Sequence, residues 1–227
     1  MELAKQHLDV GLFTNRLEAM LRFWQLEVGL PFQELLPTGG GNQQHRHGMN
    51  GSVLKLNHSR DVLPANGPSG IAELIIATPG TFYHLADPDG NRVRLVPPGM
   101  HGIEGIAVRL RVRSLEASAR YYGEALGFEP LGEGRFRCGT SQVWLEEDVS
   151  QPPTGELRGP GYRYLTVQVW DVDAEHAGVL ARGGTEGAPP STLGETARIS
   201  FVRDHDGNWL EISQRTSLTG ALGAEDA

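Results

Sequence analysis

The stretch Asp87 to Leu95, DPDGNRVRL, returns as Asp204 to Ile212, DHDGNWLEI. A turn-and-strand written twice marks an internal duplication, which restricts the available folds more than any other feature of the chain. An earlier pair says the same: RLEAMLRFWQLEVGLPF from Arg16 aligns with SLEASARYYGEALGFEP from Ser114. Leu17, Glu18, Ala19, Arg22 and Gly29 fall on Leu115, Glu116, Ala117, Arg120 and Gly127, and Phe23-Trp24 on Tyr121-Tyr122. The offset is 98 at the helix (16 to 114) and 117 at the turn (87 to 204), so the second copy is longer by 117 − 98 = 19 residues.

The local patterns agree between copies. HLDVGLFT and GIAVRLRV are short β-rich runs, each leading into a segment with apolar residues at helical spacing. Each helix stops at a glycine, Gly29 or Gly127, the residue suited to a left-handed C-terminal position. Strands follow as PFQELLP, SVLKLNH and IAELIIA in the first copy, and as RFRCG, SQVWLEED and YRYLTVQVW in the second. Only the second then continues into DVDAEHAGVLARGG, which Asp171 or Asp173 can cap and Gly183-Gly184 can stop. The first has TPG, whose proline and glycine exclude such a helix, so residues 78–82 are expected as loop and 171–182 as helix. The 19 extra residues are read as that helix and its exit loop. The Asp-Gly and Gly-Asn steps of the repeated turn supply positive φ for a tight reversal into the last strand.

The repeated β-α-β-β-β order resembles the vicinal oxygen chelate superfamily of glyoxalase I, bleomycin-resistance proteins and extradiol dioxygenases. The residues that carry the resemblance are SLEASARYYGEALGFEP, GYRYLTVQVWDVDAEHAGVLARGG and FVRDHDGNWLEISQ, with their degenerate first-copy counterparts. The implied fold is α+β: two glyoxalase-type modules, residues 1–99 with the second helix missing and residues 100–215 complete, whose curled sheets form cups. Residues 216–227 are read as a flexible tail. The resemblance is specific for the fold and weak for the reaction, since the superfamily hosts several chemistries.

The resemblance also implies four ligand positions per cup, usually histidine or glutamate, that hold Fe, Mn, Ni or Zn. In the second copy they fall on Ala107, Tyr164, Glu211 and either Trp144 or Glu146, a poor set for a transition metal. Glu211 reads either as an acid that bonds a ligand or as the partner of an arginine such as Arg109. In the first copy they fall on Asp9, Lys55, Ala72 or Glu73, and Arg94, where lysine and arginine repel a cation. Strand alternation groups Arg92 with Arg94, and Val53, Lys55 and Asn57 together. If these faces point inward the first cup is cationic and suits a carboxylate or phosphate; otherwise the arginines face solvent.

GGGNQQHRHGMNGS, residues 39–52, fits neither copy and reads as a mobile loop. His45 and His47 within it are open to three readings: hydrated loop side chains, a ligand grip over the cup, or a pair of metal ligands. His58 and His84 read as structural, and His7, two before Asp9, joins a histidine-rich site only if the register slips.

The net charge of −8 argues against nucleic acid and anionic membranes as partners. The single cysteine, Cys138, reads as a small strand residue in a reducing, cytoplasmic setting. The N-terminus shows no apolar leader, and no apolar run is long enough to span a bilayer. Two functions follow. One is a small-molecule enzyme of glyoxalase or dioxygenase ancestry, monomeric or homodimeric, with Glu211, Tyr164 and His47 as acid-base groups and Asp9, His45, Lys55, Arg92, Arg94, Trp144 and Glu146 around the ligand. A divalent metal is not favoured at the usual positions. The other is a metal-free protein that sequesters a small molecule.

Overall fold

The structure is a computed structural model that describes residues 1–80 and 82–222. Four units follow one another. The first is β1 (Leu3–Thr14), α1 (Leu17–Arg22) running on as a π-helical turn (Phe23–Glu27), β2 (Phe32–Pro37), β3 (Asn42–Met49) and β4 (Ser52–Ser59). The second has only strands, β5 (Ile71–Ala77), β6 (Tyr83–Ala86) and β7 (Arg92–Val96). After a 3-10 turn (Met100–Gly102), the third is β8 (Ile106–Val112), α2 (Leu115–Arg120) with its own π-helical turn (Tyr121–Ala125), β9 (Glu129–Gly132), β10 (Arg135–Cys138) and β11 (Ser141–Glu147). The fourth is β12 (Gly161–Val169), α3 (Val172–Ala181), β13 (Thr185–Leu193), β14 (Ala197–Arg203) and β15 (Trp209–Arg215), followed by α4 (Thr216–Thr219).

The repeat at 1–99 and 100–215 is a repeat of sequence, and both sheets cross it. One sheet has the order β13-β14-β15-β12-β1-β4-β3-β2, joining the first unit to the fourth. The other runs β6-β7-β5-β8-β11-β10-β9, joining the second to the third. The antiparallel seams are β1 with β12 and β5 with β8. Residues of one parity on the central strands, such as Leu8, Val10 and Leu12 on β1 and Val108 and Leu110 on β8, enter a common core with Trp24 and Tyr122 from the helical segments. The other parity faces the concave side of each sheet.

The repeated turn has a reason that needs both copies. Asp87 Oδ1 accepts from the backbone N–H groups of Asp89 and Asn91, at 3.0 and 2.9 Å, and Asp204 Oδ1 from those of Asp206 and Asn208, at 2.9 and 2.8 Å. Gly90 and Gly207 take the positive φ, 86° and 79°, that such a loop requires. Each loop then reaches across the repeat. Asn91 Oδ1 accepts from Tyr162 N–H (3.2 Å) at the start of β12, and Asn208 Oδ1 from Gly70 N–H (2.8 Å) just before β5. Each copy of the turn therefore anchors a strand that belongs to the other copy.

Residues 78–80 and 82 are loop and 172–181 are helix, as the spacing predicts; Thr81 lies outside the described residues. Three expectations change. Between the paired positions of the last two parallel strands the second copy has 45 residues (Thr166 to Glu211) and the first 19 (Ile75 to Arg94), and the 26 extra hold α3, β13 and their connections, so the first copy lacks an edge strand along with the helix and its sheet has seven strands. Within 39–52 only the three glycines and the Asn50-Gly51 pair form turns. Asn42–Met49 is a strand paired on both sides, with β2 and with β4, and most of it is buried. Tertiary pairing overrides the weak intrinsic β preference of QQHRHGM. The tail begins with one helical turn, α4, and residues 223–227 lie outside the described residues. No helix among the described residues is long and apolar enough to cross a membrane.

Candidate functional site

The concave face of the eight-stranded sheet encloses a cavity of about 660 Å³. Strand register decides what stands at its floor. Thr166 pairs with both Asp9 and Glu211, and Lys55 on β4 lies beside Gly11 of β1. The four positions that converge are therefore Asp9, Lys55, Thr166 and Glu211. Lys55, only 3% exposed, donates to Glu211 Oε2 at 2.7 Å and to Thr166 Oγ1 at 2.8 Å, and Thr166 also donates to Glu211 Oε2 at 2.8 Å. Burial lowers the Lys55 pKa, with Glu211 acting in the opposite direction. Asp9 is buried and taken up by the Lys5 ammonium (2.6 Å) and the Val53 N–H (2.8 Å).

A polar ladder climbs one wall. Arg46 Nη1 donates to Gln44 Oε1, Gln44 Nε2 to Asn57 Oδ1, and Asn57 Nδ2 to the Tyr164 hydroxyl oxygen, at 2.9, 2.9 and 3.1 Å. The Tyr164 oxygen acts as acceptor in this ladder, so its own proton is available to a ligand. Burial, followed by the Glu211 carboxylate, raises its pKa far enough to keep it protonated throughout the physiological range. The ring of Tyr164 lies across β1 at Gly11, where any Cβ would collide with it. Phe13, Tyr164, Phe201 and Trp209 form a chain of ring contacts with centroids 6.3, 6.0 and 5.9 Å apart.

The second cup is built differently. Its equivalent positions, by register, are Ala107, Trp144, Ile75 and Arg94. Ile75, Ala77, Val96, Ile103 and Ala107 pack together there with Met100 and Trp144, so the 3-10 turn and the residue after it fill the floor. Above them Glu73 meets Arg94 at 2.5 Å and Arg109 at 3.4 Å, and Arg109 meets Glu146 at 3.0 Å.

The sequence expectations divide accordingly. Asp9, Lys55, Tyr164 and Glu211 come together as cup residues, but they come from both halves of the chain. Ala107, Arg94, Trp144 and Glu146 stand in the other sheet, because each cup pairs one unit from each copy. The partner of Glu211 is Lys55, and Arg109 pairs with Glu73 and Glu146 instead. Arg92 is exposed at the start of β7 and stays out of the cup. His45 and His47 point to the opposite face of β3 from the cup-lining Gln44 and Arg46. His47 meets Gln25 of the π-helical turn at 3.0 Å, and both imidazoles contact Phe32. Burial pushes the His47 pKa down to about 4, and burial and His58 lower that of His45. His47 therefore has no route to a ligand in the cup. Cys138 is a buried strand residue whose thiol burial pushes up to about 12.

Sequence reasoning missed Arg46, Arg215, Glu34 and Thr166. Arg46 was legible only after β3 is recognised as a strand, since alternation then places it opposite the two histidines and beside inward-facing Lys55. Thr166 lies one pleat beyond Tyr164, and its level is set by register alone.

The donor set does not fit a transition metal. An ammonium holds the Glu211 carboxylate in one cup, and apolar side chains fill the other. Among the described residues, no group of three or more His, Cys, Asp or Glu side chains is placed to hold a metal ion.

Comparisons with known proteins agree with this architecture. Residues 104–212 match the family model of the Glyoxalase/Bleomycin resistance protein/Dioxygenase superfamily. Among solved structures, a glyoxalase I variant from Zea mays superposes with a TM-score of 0.72 at 16% identity, over 95% of this chain and 94% of the other. A putative dioxygenase from Bacillus subtilis subsp. subtilis str. 168 gives 0.68 at 11% identity over 94% and 86%, and the CppA protein of Streptococcus pneumoniae TIGR4 gives 0.53 at 13% over 94% and 100%. A search of curated protein sequences gave no significant match. At these identities the superpositions speak for the fold alone. The chain carries, over residues 104–212, a domain of the Glyoxalase/Bleomycin resistance protein/Dioxygenase superfamily, in a fold of the glyoxalase type.

Proposed function

We propose that this chain is a metal-free small-molecule binding protein, with its ligand in the cup of the eight-stranded sheet. One observation carries the reading: Lys55 Nζ sits at 2.7 Å from Glu211 Oε2, among the side chains that converge on the cup floor. An ammonium there supplies the positive charge that a cation would otherwise bring, and repels a second cation. The cavity above, about 660 Å³ and rich in aromatic and aliphatic walls, has the size and lining of small-molecule sites. The enzymatic reading needs Glu211, Tyr164 and His47 on one ligand, and His47 faces away.

Two measurements test the proposal. After incubation with nickel, zinc, manganese or iron(II) and desalting, the protein should retain well under one equivalent of metal, and stoichiometric retention would overturn the metal-free reading. N-phenyl-1-naphthylamine, an apolar dye that fluoresces on transfer from water, should bind one molecule per chain. Ser213→Trp, which puts a large side chain into the cavity wall, should abolish the signal; dye binding unchanged in that variant would place the site elsewhere.

A further inference from the structure

The cup has an electrostatic asymmetry that its apolar walls do not explain. Arg46 and Arg215 both line the cavity. Their shared partner is a single carboxylate, Glu34, whose Oε1 lies 2.9 Å from Arg46 Nε and 3.2 Å from Arg215 Nη2. The first contact is close but misdirected. Arg46 is 5% exposed, and its buried Nε–H finds no hydrogen-bond acceptor. Leaving a charged donor buried and unanswered costs its full desolvation. Glu34 stands on the edge strand β2 with 41% of its side chain exposed, so water can receive it. Lys55, by contrast, has two acceptors, Glu211 Oε2 and Thr166 Oγ1. Burial, and after it the neighbouring Arg46 guanidinium, lower the Arg215 pKa. At the rim Arg158 adds a further cation, held by Ser59 Oγ at 3.0 Å. In a chain of net charge −8 the lining of this cavity holds Arg46, Lys55, Arg158 and Arg215 against one carboxylate, Glu211.

Resting on the reading of the cup as the ligand site, we propose that its ligand is an amphiphilic monoanion, with an apolar body against Phe13, Leu157 and Phe201 and a carboxylate or sulfonate between Arg46 and Arg215. The anion supplies the acceptor that Arg46 Nε lacks, and Glu34 is the carboxylate it displaces. The Tyr164 hydroxyl is left to donate to a polar atom on the body of the ligand. Paired guanidinium groups suit a planar or tetrahedral oxyanion because each can present parallel N–H donors to it.

The test uses two dyes of one skeleton. 8-Anilinonaphthalene-1-sulfonate is N-phenyl-1-naphthylamine with a sulfonate added, so the ratio of their dissociation constants isolates the anionic group. The intact chain should bind the sulfonate about tenfold or more tightly than the neutral dye. Arg215→Gln and Arg46→Gln should each reduce that preference, the ratio of the two dissociation constants in the same variant, to about threefold or less. Glu34→Gln should tighten sulfonate binding by removing the internal competitor. If Arg46→Gln fails to fold, Arg215→Gln, whose side chain is partly exposed, decides the matter. Neutral-dye binding without a preference for the sulfonate, or a preference that survives both arginine substitutions, overturns the anion assignment and leaves the cup reading intact. Failure of both dyes to bind the intact chain sinks the cup reading, and the anion assignment with it.

Discussion

Lys55 carries a charge into the middle of the larger sheet, where only a matched partner makes it tolerable. Lys55→Met strands the Glu211 carboxylate in a buried site and should destabilise the protein by about 3–5 kcal/mol. Adding Glu211→Leu should recover most of that loss, because an apolar pair no longer carries an unmatched charge. Urea denaturation of the two variants decides it: a double variant as unstable as the single one shows that the pair acts through packing. On the other face of the sheet, His47 is under the helical segment with His45 and His58 nearby. The unfolded chain protonates this imidazole at about 6.5, whereas the folded one waits until about 4. Its contribution to stability is therefore complete above pH 6.5 and is lost as pH falls through that window, by about 3 kcal/mol in all. His47→Gln can keep a hydrogen bond to Gln25 and should flatten the fall in stability between pH 6.5 and 4, read from urea melts at each pH. An unchanged slope would assign the acid sensitivity to His45, whose pKa burial also lowers. These residue types were visible in the sequence, but their faces were not, because alternation is informative only once the segment is known to be a strand.

At the scale of elements, the two Asp-Gly-Asn turns are the most strongly specified pieces of the chain. Asp204 is buried, accepts the loop's own N–H groups, and also receives the Tyr122 hydroxyl at 3.3 Å. Removing it leaves those donors unanswered. Asp204→Ala should cost about 2–4 kcal/mol, and Asp87→Ala less, because Asp87 has no counterpart of the Tyr122 bond. Thermal melts of the two variants would show the order, and equal losses would show that the tyrosine contributes nothing. The helix α3 was readable from its cap, Asp171 or Asp173, and it is Asp171 Oδ1 that accepts from Ala174 N–H, at 2.9 Å. The helix α2 was readable from its apolar spacing and its stop at Gly127, and its cap, Ser114 Oγ accepting from Ala117 N–H at 3.3 Å, is added by the structure. The edge strand β13 was not readable. TEGAPPSTL carries two prolines and no clear alternation, and its strand geometry comes from pairing with β14.

At the scale of the molecule, each sheet is a joint product of the two sequence copies. Residues 1–99 alone would present β1 and β5 without their antiparallel partners β12 and β8, and residues 100–215 alone would have the reverse fault. Such edges are unpaired and largely apolar. Expressed separately, the two pieces should stay largely unfolded by circular dichroism and amide-proton dispersion. Mixed at equal concentration, they should recover the β signal of the intact chain. A first piece that folds cooperatively alone would show that the seams β1–β12 and β5–β8 are dispensable.

The sequence by itself determined the repeat, the β-α-β-β-β units, the helix absent from the first copy, and the residue types that stand where the resemblance implies ligands. These are properties of local periodicity, turn chemistry and residue type, all carried within a few consecutive positions. Tertiary structure alone decided which units share a sheet, and so which side chains share a cup. Lys55 and Glu211 are 156 residues apart and meet at 2.7 Å. Arg46 and Arg215 are still further apart in sequence. Strands find their partners through edges and faces distributed over the whole chain, and no local pattern records that β1 pairs with β12 and leaves β5 to β8.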